Sequence, residues 1–95
     1  MKNEKQLCTQ DFIDLGIEHC IKCDREETEK TYRKVVTDKI IYTFVHHNDI
    51  DELFICVHDN DVFTTGNIKQ IFVGFIKSKS ELETLLKFLN IQINN

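Results

Sequence analysis

The sequence predicts an α+β domain: a short N-terminal helix, an antiparallel β-meander of four to five strands, and a C-terminal amphipathic helix packed on one sheet face. Three observations favour this architecture. Stretches rich in β-branched and aromatic residues fill the centre of the chain, turn-forming residues separate them, and leucines recur at helical spacing near the end. A run of strands flanked by helices is typical of α+β domains.

The N-terminal part is predicted to hold one helix and two strands. Thr9 is suited to cap the helix, Asp11 falls in its first turn, and Gly16 stands where a left-handed residue ends a helix. Side chains alternate from Ile17 to Cys23, which predicts a strand. After a charged connection, the β-branched segment from Thr31 to Val36 predicts a second strand.

Three further strands follow, joined by tight turns. They are predicted at Ile40 to His46, Leu53 to His58 and Ile68 to Ile76. The turn from Asn48 to Asp51 carries polar residues that favour turns, and the connection before Ile68 is similar. Successive strands with short connections form an antiparallel meander.

The C-terminal helix carries the clearest periodic pattern. Ser80 and Glu83 have the spacing of a capping box, and Asn90 is suited to end the helix. Four leucines then lie on one face: Leu82, Leu85, Leu86 and Leu89.

The predicted sheet is apolar on both faces. A tight turn before Leu53 would place Phe44 opposite Ile55 and Val45 opposite Phe54, on opposite faces. The last strand is expected to point Phe72 and Ile76 one way and the following residues the other: Ile71, Val73 and Phe75. The C-terminal helix covers only one face. We expect the N-terminal helix to cover the second, and the alternative is a partner or a homodimer through the uncovered sheet face.

The composition indicates a single domain, residues 1–95, and disfavours several function classes. The formal net charge of −4 argues against general binding to nucleic acid or anionic membranes, and it suits a basic partner. Neither a signal peptide nor a membrane span is apparent. We therefore expect cytoplasmic localisation in whatever cell makes the chain, no membrane contact, reduced cysteines and no cofactor.

Acidic residues near the predicted turns are the first candidate site. They are proposed to bind lysine and arginine on a partner protein: Asp49, Asp51, Glu52, Asp59 and Asp61. The alternative is that these residues simply favour turns.

A basic stretch over residues 30–39 is the second candidate. It would make the chain a small RNA-binding module that uses four residues: Lys30, Tyr32, Arg33 and Lys34. Interleaved acidic residues favour a solvated face instead.

A single C-x-x-C pair, Cys20 and Cys23, is the third candidate, for a zinc or redox protein. Only one such pair is present, and on a strand the two side chains would face opposite ways, so structural cysteines are favoured. His46, His47 and His58 lie near acidic residues, but the absence of a nucleophile motif favours solvated hairpin histidines and no enzymatic activity.

Both ends of the chain resemble a recurring pattern. The segment from Ile76 to Asn90 is similar to the closing strand and helix of small uncharacterised proteins from phages and mobile elements, and the segment from Asp11 to Ile17 is similar to their start. Such proteins are often encoded near anti-defence genes. Anti-CRISPR proteins, as a class, are small acidic binders of RNA-guided nucleases. The resemblance therefore implies a phage-type inhibitor or accessory protein in the cytoplasm of a bacterial host cell. Its partner would be a host protein, such as a nuclease that handles nucleic acid in immunity. The resemblance assigns no functional residue.

Overall fold

A computed structural model describes residues 6–60 and 66–92. In this part of the chain two helices flank five strands, which confirms the predicted α+β fold. The elements are helix α1 (Thr9–Asp14), strand β1 (Glu18–His19), a 3₁₀ turn (Ile21–Cys23), strands β2 (Glu29–Thr37), β3 (Ile40–His47), β4 (Glu52–His58) and β5 (Ile68–Phe75), and helix α2 (Lys79–Phe88). Over the described residues, neither helix is long and apolar enough to cross a membrane.

The strands form one antiparallel sheet in chain order, β1 to β5. The turn between β3 and β4 produces the predicted register, with Phe44 opposite Ile55 and Val45 opposite Phe54. Asp51 in this turn has a φ of 60°, and aspartate tolerates this left-handed conformation better than most residues. Turn chemistry therefore sets which side chains share a face.

Both helices pack on the same face of the sheet, which we call the covered face. Phe12 of α1 joins Leu82 and Leu86 of α2 in one buried cluster. Its strand residues share one face by register: Tyr32, Phe44, Leu53 and Ile55. The expectation that the N-terminal helix covers the second face is therefore wrong. On the covered face the ring of Phe12 stacks on Tyr32 and meets Phe44 edge-on.

The predicted strand from Ile17 to Cys23 is wrong beyond His19. The chain turns at Cys20 into the 3₁₀ turn, and the Cys23 amide donates a hydrogen bond to the Cys20 carbonyl. Local hydrogen bonds of this kind compete with a strand ladder. The turn brings two cysteines together that a strand would have separated.

The ends of the helices are partly as predicted. Gly16 has a φ of 82° and Asn90 a φ of 61°, so each is the left-handed residue expected after a helix. The predicted capping box at Ser80 is wrong. Helix α2 begins two residues earlier, because the Ser78 hydroxyl accepts from the Glu81 amide and Glu81 accepts from the Lys77 amide.

Strand β5 departs from simple alternation. The register between β4 and β5 shifts after Ile55, where a bulge leaves Ile71 without a direct partner. Ile71 consequently packs against the buried cluster instead of pointing to the second face as expected. Phe72 and Ile76 keep their predicted positions on the covered side.

Candidate protein-binding surface

Neither α-helix packs on the second face of the sheet among residues 6–60 and 66–92. We call it the open face, and the 3₁₀ turn contacts its edge at Thr31. The register sets its side chains in ordered rows across the strands. One row runs from Thr31 through Val45 and Phe54 to Val73. Three adjacent apolar side chains therefore cross β3, β4 and β5 on this face.

Apolar exposure on this face is greatest along β5. Val73 is 50% exposed and Phe75 is 64% exposed, whereas Val45 and Phe54 are half-buried by their neighbours. Phe75 lies opposite Glu52 in the next row. Burying such side chains against another protein removes apolar area from water, which favours association by about 25 cal/mol per Å².

Polar groups surround the apolar row. On one side, Glu29 Oε1 lies 3.8 Å from His47 Nε2, and His47 lies opposite Glu52 on β4. On the other side, Thr43 Oγ1 lies 2.6 Å from His58 Nε2. His58 Nδ1 donates to the Asp59 carbonyl at 2.9 Å, because a carbonyl oxygen can only accept. An apolar centre with a polar rim is the usual arrangement of a protein interface.

Strand β5 also forms an edge of the sheet, since it pairs with β4 alone among the described strands. A groove of about 430 Å³ lies between the end of this strand and α2. Phe75, Leu85 and Phe88 line it, and Phe88 is 82% exposed. Exposed edge strands present unpaired backbone groups that add a strand from another chain.

The five acidic residues predicted to bind a partner do not form one cluster. Asp49, Asp51 and Glu52 lie at the β3–β4 turn, whereas Asp59 follows the opposite end of β4. Asp51 accepts a hydrogen bond from Gln6. Asp61 lies outside the described residues. Of the four acids that the structure describes, Glu52 is the one with a strand position on the open face, opposite His47 and Phe75.

The four residues of the predicted RNA site are also separated. Tyr32 is 1% exposed and stacks on Phe12, and burial raises the pKa of its phenol. Lys30 and Lys34 share the covered side with Tyr32, whereas Arg33 lies on the open face. An aromatic ring that stacks on bases must be accessible, so Tyr32 cannot supply this contact.

Cys20 and Cys23 form a disulfide, with 5.4 Å between their Cα atoms. The expectation of four reduced cysteines is wrong for this pair; Cys8 and Cys56 remain thiols. The 3₁₀ turn explains the pairing, because it folds the two side chains toward each other. Among the described residues, no group of three or more histidine, cysteine or acidic side chains is arranged to hold a metal ion.

Asp24 joins this turn to the sheet. One carboxylate oxygen accepts from the Thr31 amide at 2.8 Å, and the other lies 2.8 Å from His19 Nε2 and 3.7 Å from Lys30 Nζ. Burial opposes ionisation of Asp24, but these contacts outweigh it and lower the pKa of the carboxyl. The turn is therefore held to β2 by a charged side chain.

His46 is not the solvated histidine that was expected. It is 1% exposed, and its ring centroid lies 5.8 Å from that of Phe12. Burial lowers the pKa of His46, and its Nε2 has no hydrogen-bond partner among the described residues. Residues two apart in a strand share a face, so His46 was expected on the same face as Phe44. The sequence therefore contained the signal for the burial of His46.

No protein-family model matches this chain, and no curated protein or solved structure matches it either. The open face is therefore identified as a candidate binding surface from the exposure, register and charge of its own residues. The sequence indicated two apolar faces but not which one stays open. The helix pattern specifies how apolar α1 is, and not where it packs.

Proposed function

We propose that this protein is a binding domain that engages another protein through its open face. The observation that carries the proposal is the apolar row Val45–Phe54–Val73, continued by the exposed ring of Phe75. Large contiguous apolar patches on the surface of a monomeric protein usually mark an interaction site. Exposed edge strand β5 adds backbone donors and acceptors beside the same patch.

The rigidity of the sheet supports this proposal. Phe54 is fixed between cross-strand partners Val45 and Val73, so little conformational freedom is lost when a partner contacts it. Phe75 projects farther and is suited to enter a pocket on the partner. Interfaces derive most of their affinity from a few such aromatic anchors surrounded by polar residues.

The charge of the open face supports a basic partner. Glu18, Glu29 and Glu52 have positions on this face, against a single guanidinium from Arg33. The whole chain carries a formal net charge of −4. Complementary charge raises the association rate and excludes wrong partners.

The partner we propose is a host protein that handles nucleic acid and therefore has a basic surface. The resemblance of both chain ends to phage and mobile-element proteins supports a phage-type inhibitor or accessory protein, and specifically an anti-CRISPR protein acting on an RNA-guided immune nuclease. A second copy of the chain is the other occupant that the open face would accept. The RNA-binding alternative has less support, because Tyr32 is buried.

Comparative affinity capture tests this proposal. Immobilised wild-type protein, Val73→Asp and a control Ile13→Asp are exposed to nuclease-treated bacterial lysate, and bound proteins are identified by mass spectrometry. Ile13 is a suitable control because it is also exposed, at 47%, but lies on α1. We expect a nucleic-acid-handling protein bound by wild type and control and lost with Val73→Asp.

Equal capture by all three proteins would contradict the proposal, as would the absence of any specifically bound protein. Sedimentation of the purified wild-type chain separates the homodimer from a host partner. If the wild-type chain is a dimer and Val73→Asp is a monomer, the partner of the open face is a second copy of the chain and not a host protein.

A further inference from the structure

The Cys20–Cys23 pair lies at the surface, beside β1 and next to Thr31, the β2 end of the row on the open face. Only two residues separate the cysteines, and the 3₁₀ turn holds their Cα atoms 5.4 Å apart. This distance suits a disulfide without movement of the backbone. Cys23 is exposed and Cys20 is half-buried, so an external thiol reaches Cys23 directly.

Two cationic side chains, Lys22 and Arg33, lie beside Cys20. A cleft of about 300 Å³ adjoins it. Lys22, Arg33 and Glu18 line the cleft together with the ring of His19, which contacts the Asp24 carboxylate. Positive side chains stabilise a thiolate, which is both the nucleophile and the leaving group of thiol–disulfide exchange. The cleft therefore favours release of the Cys20 sulfur as a thiolate.

The other two cysteines provide an internal contrast. Cys56 is 6% exposed, and burial raises the pKa of its thiol. Its sulfur donates only a long contact to the Thr43 carbonyl, at 3.9 Å. Structural cysteines of this kind are inert, whereas exposed pairs in cationic surroundings react.

We propose that Cys20 and Cys23 form a reversible dithiol–disulfide site that exchanges with cellular thiols. A thiolate of a small thiol or of a protein dithiol attacks Cys23 Sγ and breaks the bond to Cys20, which leaves as a thiolate. A second thiolate then attacks the external sulfur of the mixed disulfide and releases Cys23. Two electrons pass from the cellular thiols to the pair, the thiols become a disulfide, and the protons come from solvent.

The site is coupled to β2 through Thr31. The Cys20 amide donates to the Thr31 carbonyl at 2.8 Å, the Thr31 hydroxyl donates to the Cys23 carbonyl at 3.4 Å, and the Asp24 carboxylate accepts from the Thr31 amide. Reduction breaks the covalent link within the turn. The turn is then held to β2 by these three hydrogen bonds. The Thr31 amide consequently exchanges its hydrogen faster in the reduced protein.

The test is a redox titration of the full chain. The protein is equilibrated at several ratios of reduced to oxidised glutathione, free thiols are alkylated, and the intact mass and the modified residues are read by mass spectrometry. We expect Cys20 and Cys23 to change together in one reversible two-electron transition. Cys23→Ser removes this transition and leaves Cys20 to form a mixed disulfide with glutathione.

Cys56→Ser is the matched control, and it leaves the midpoint of the transition unchanged. The amide exchange of Thr31, measured for the oxidised and reduced protein, is a second readout that does not depend on alkylation. A pair that stays reduced at every glutathione ratio, or that stays oxidised under excess dithiothreitol, would overturn the proposal. So would a Cys20 thiol in Cys23→Ser that becomes oxidised without gaining the mass of glutathione.

Discussion

The ring of Phe12 stacks on the ring of Tyr32, with 3.9 Å between their centroids and 5° between their planes. This contact joins α1 to β2 on the covered face, while the Tyr32 hydroxyl lies 2.8 Å from Thr9 Oγ1. It has two consequences for function. Tyr32 is withdrawn from any contact with nucleic acid, and α1 is held away from the open face.

Removal of the Phe12 ring should therefore be costly. Phe12→Ala leaves a cavity beside Tyr32 and Phe44, both of which it contacts in the core. We expect a loss of about 3–5 kcal/mol in the free energy of unfolding, measured by urea denaturation. Ile13→Ala, on the exposed side of the same helix, should change it by less than about 0.5 kcal/mol. Similar losses for both variants would show that α1 does not pack as described.

The true start of α2 provides a second prediction. Ser78→Ala removes the hydroxyl that accepts from the Glu81 amide, and the expected cost is about 1 kcal/mol. Ser80→Ala leaves this cap in place and should cost less than about 0.5 kcal/mol. The thermal unfolding of the two variants shows whether Ser78 or Ser80 caps helix α2. A larger loss for Ser80→Ala would restore the capping box that the sequence suggested.

The buried histidine predicts a pH dependence of stability. Burial lowers the pKa of His46 in the folded protein, while in the unfolded chain it is about 6.5. As pH falls below that value the unfolded state binds a proton that the folded state does not, so the free energy of unfolding decreases. His46→Leu removes this loss and also the unpartnered Nε2.

Chemical denaturation at about pH 7.5 and about pH 5.5 measures the effect. We expect wild type to lose more stability than His46→Leu between the two pH values. His47→Gln, a change at the half-buried neighbour, should retain most of this pH dependence, because burial is the largest cause of the lowered pKa of His46 and the charge of His47 is a smaller one. Equal pH dependence in wild type and His46→Leu would mean that His46 titrates normally in the folded protein.

Local signals in the sequence were sufficient for most of the fold. The turn before Leu53 set the register of β3 and β4, and Asn90 ended α2 as its left-handed preference indicates. These outcomes depend on residues close together in the chain. Such interactions are the ones that propensity and periodicity describe well.

The candidate sites were harder to predict because they depend on tertiary packing. The alternation of side chains near Cys20 is typical of a strand. The chain instead turns there, and the turn is held by the hydrogen bond from the Thr31 amide to the Asp24 carboxylate. The acids Asp51 and Asp59 appeared close in sequence, but β4 separates them by its full length. Which face α1 covers depended on the Phe12–Tyr32 contact, which no local pattern encodes.

Site-specific photocrosslinking tests the central claim most directly. A photoreactive amino acid replaces Val73 on the open face or, as control, Ile13 on the exposed side of α1. The chain is expressed in a bacterial host and irradiated, and adducts are identified by mass spectrometry. We predict a host-protein adduct from position 73 and none from position 13. Adducts from position 13 but not 73 would contradict the claim, as would RNA as the crosslinked species.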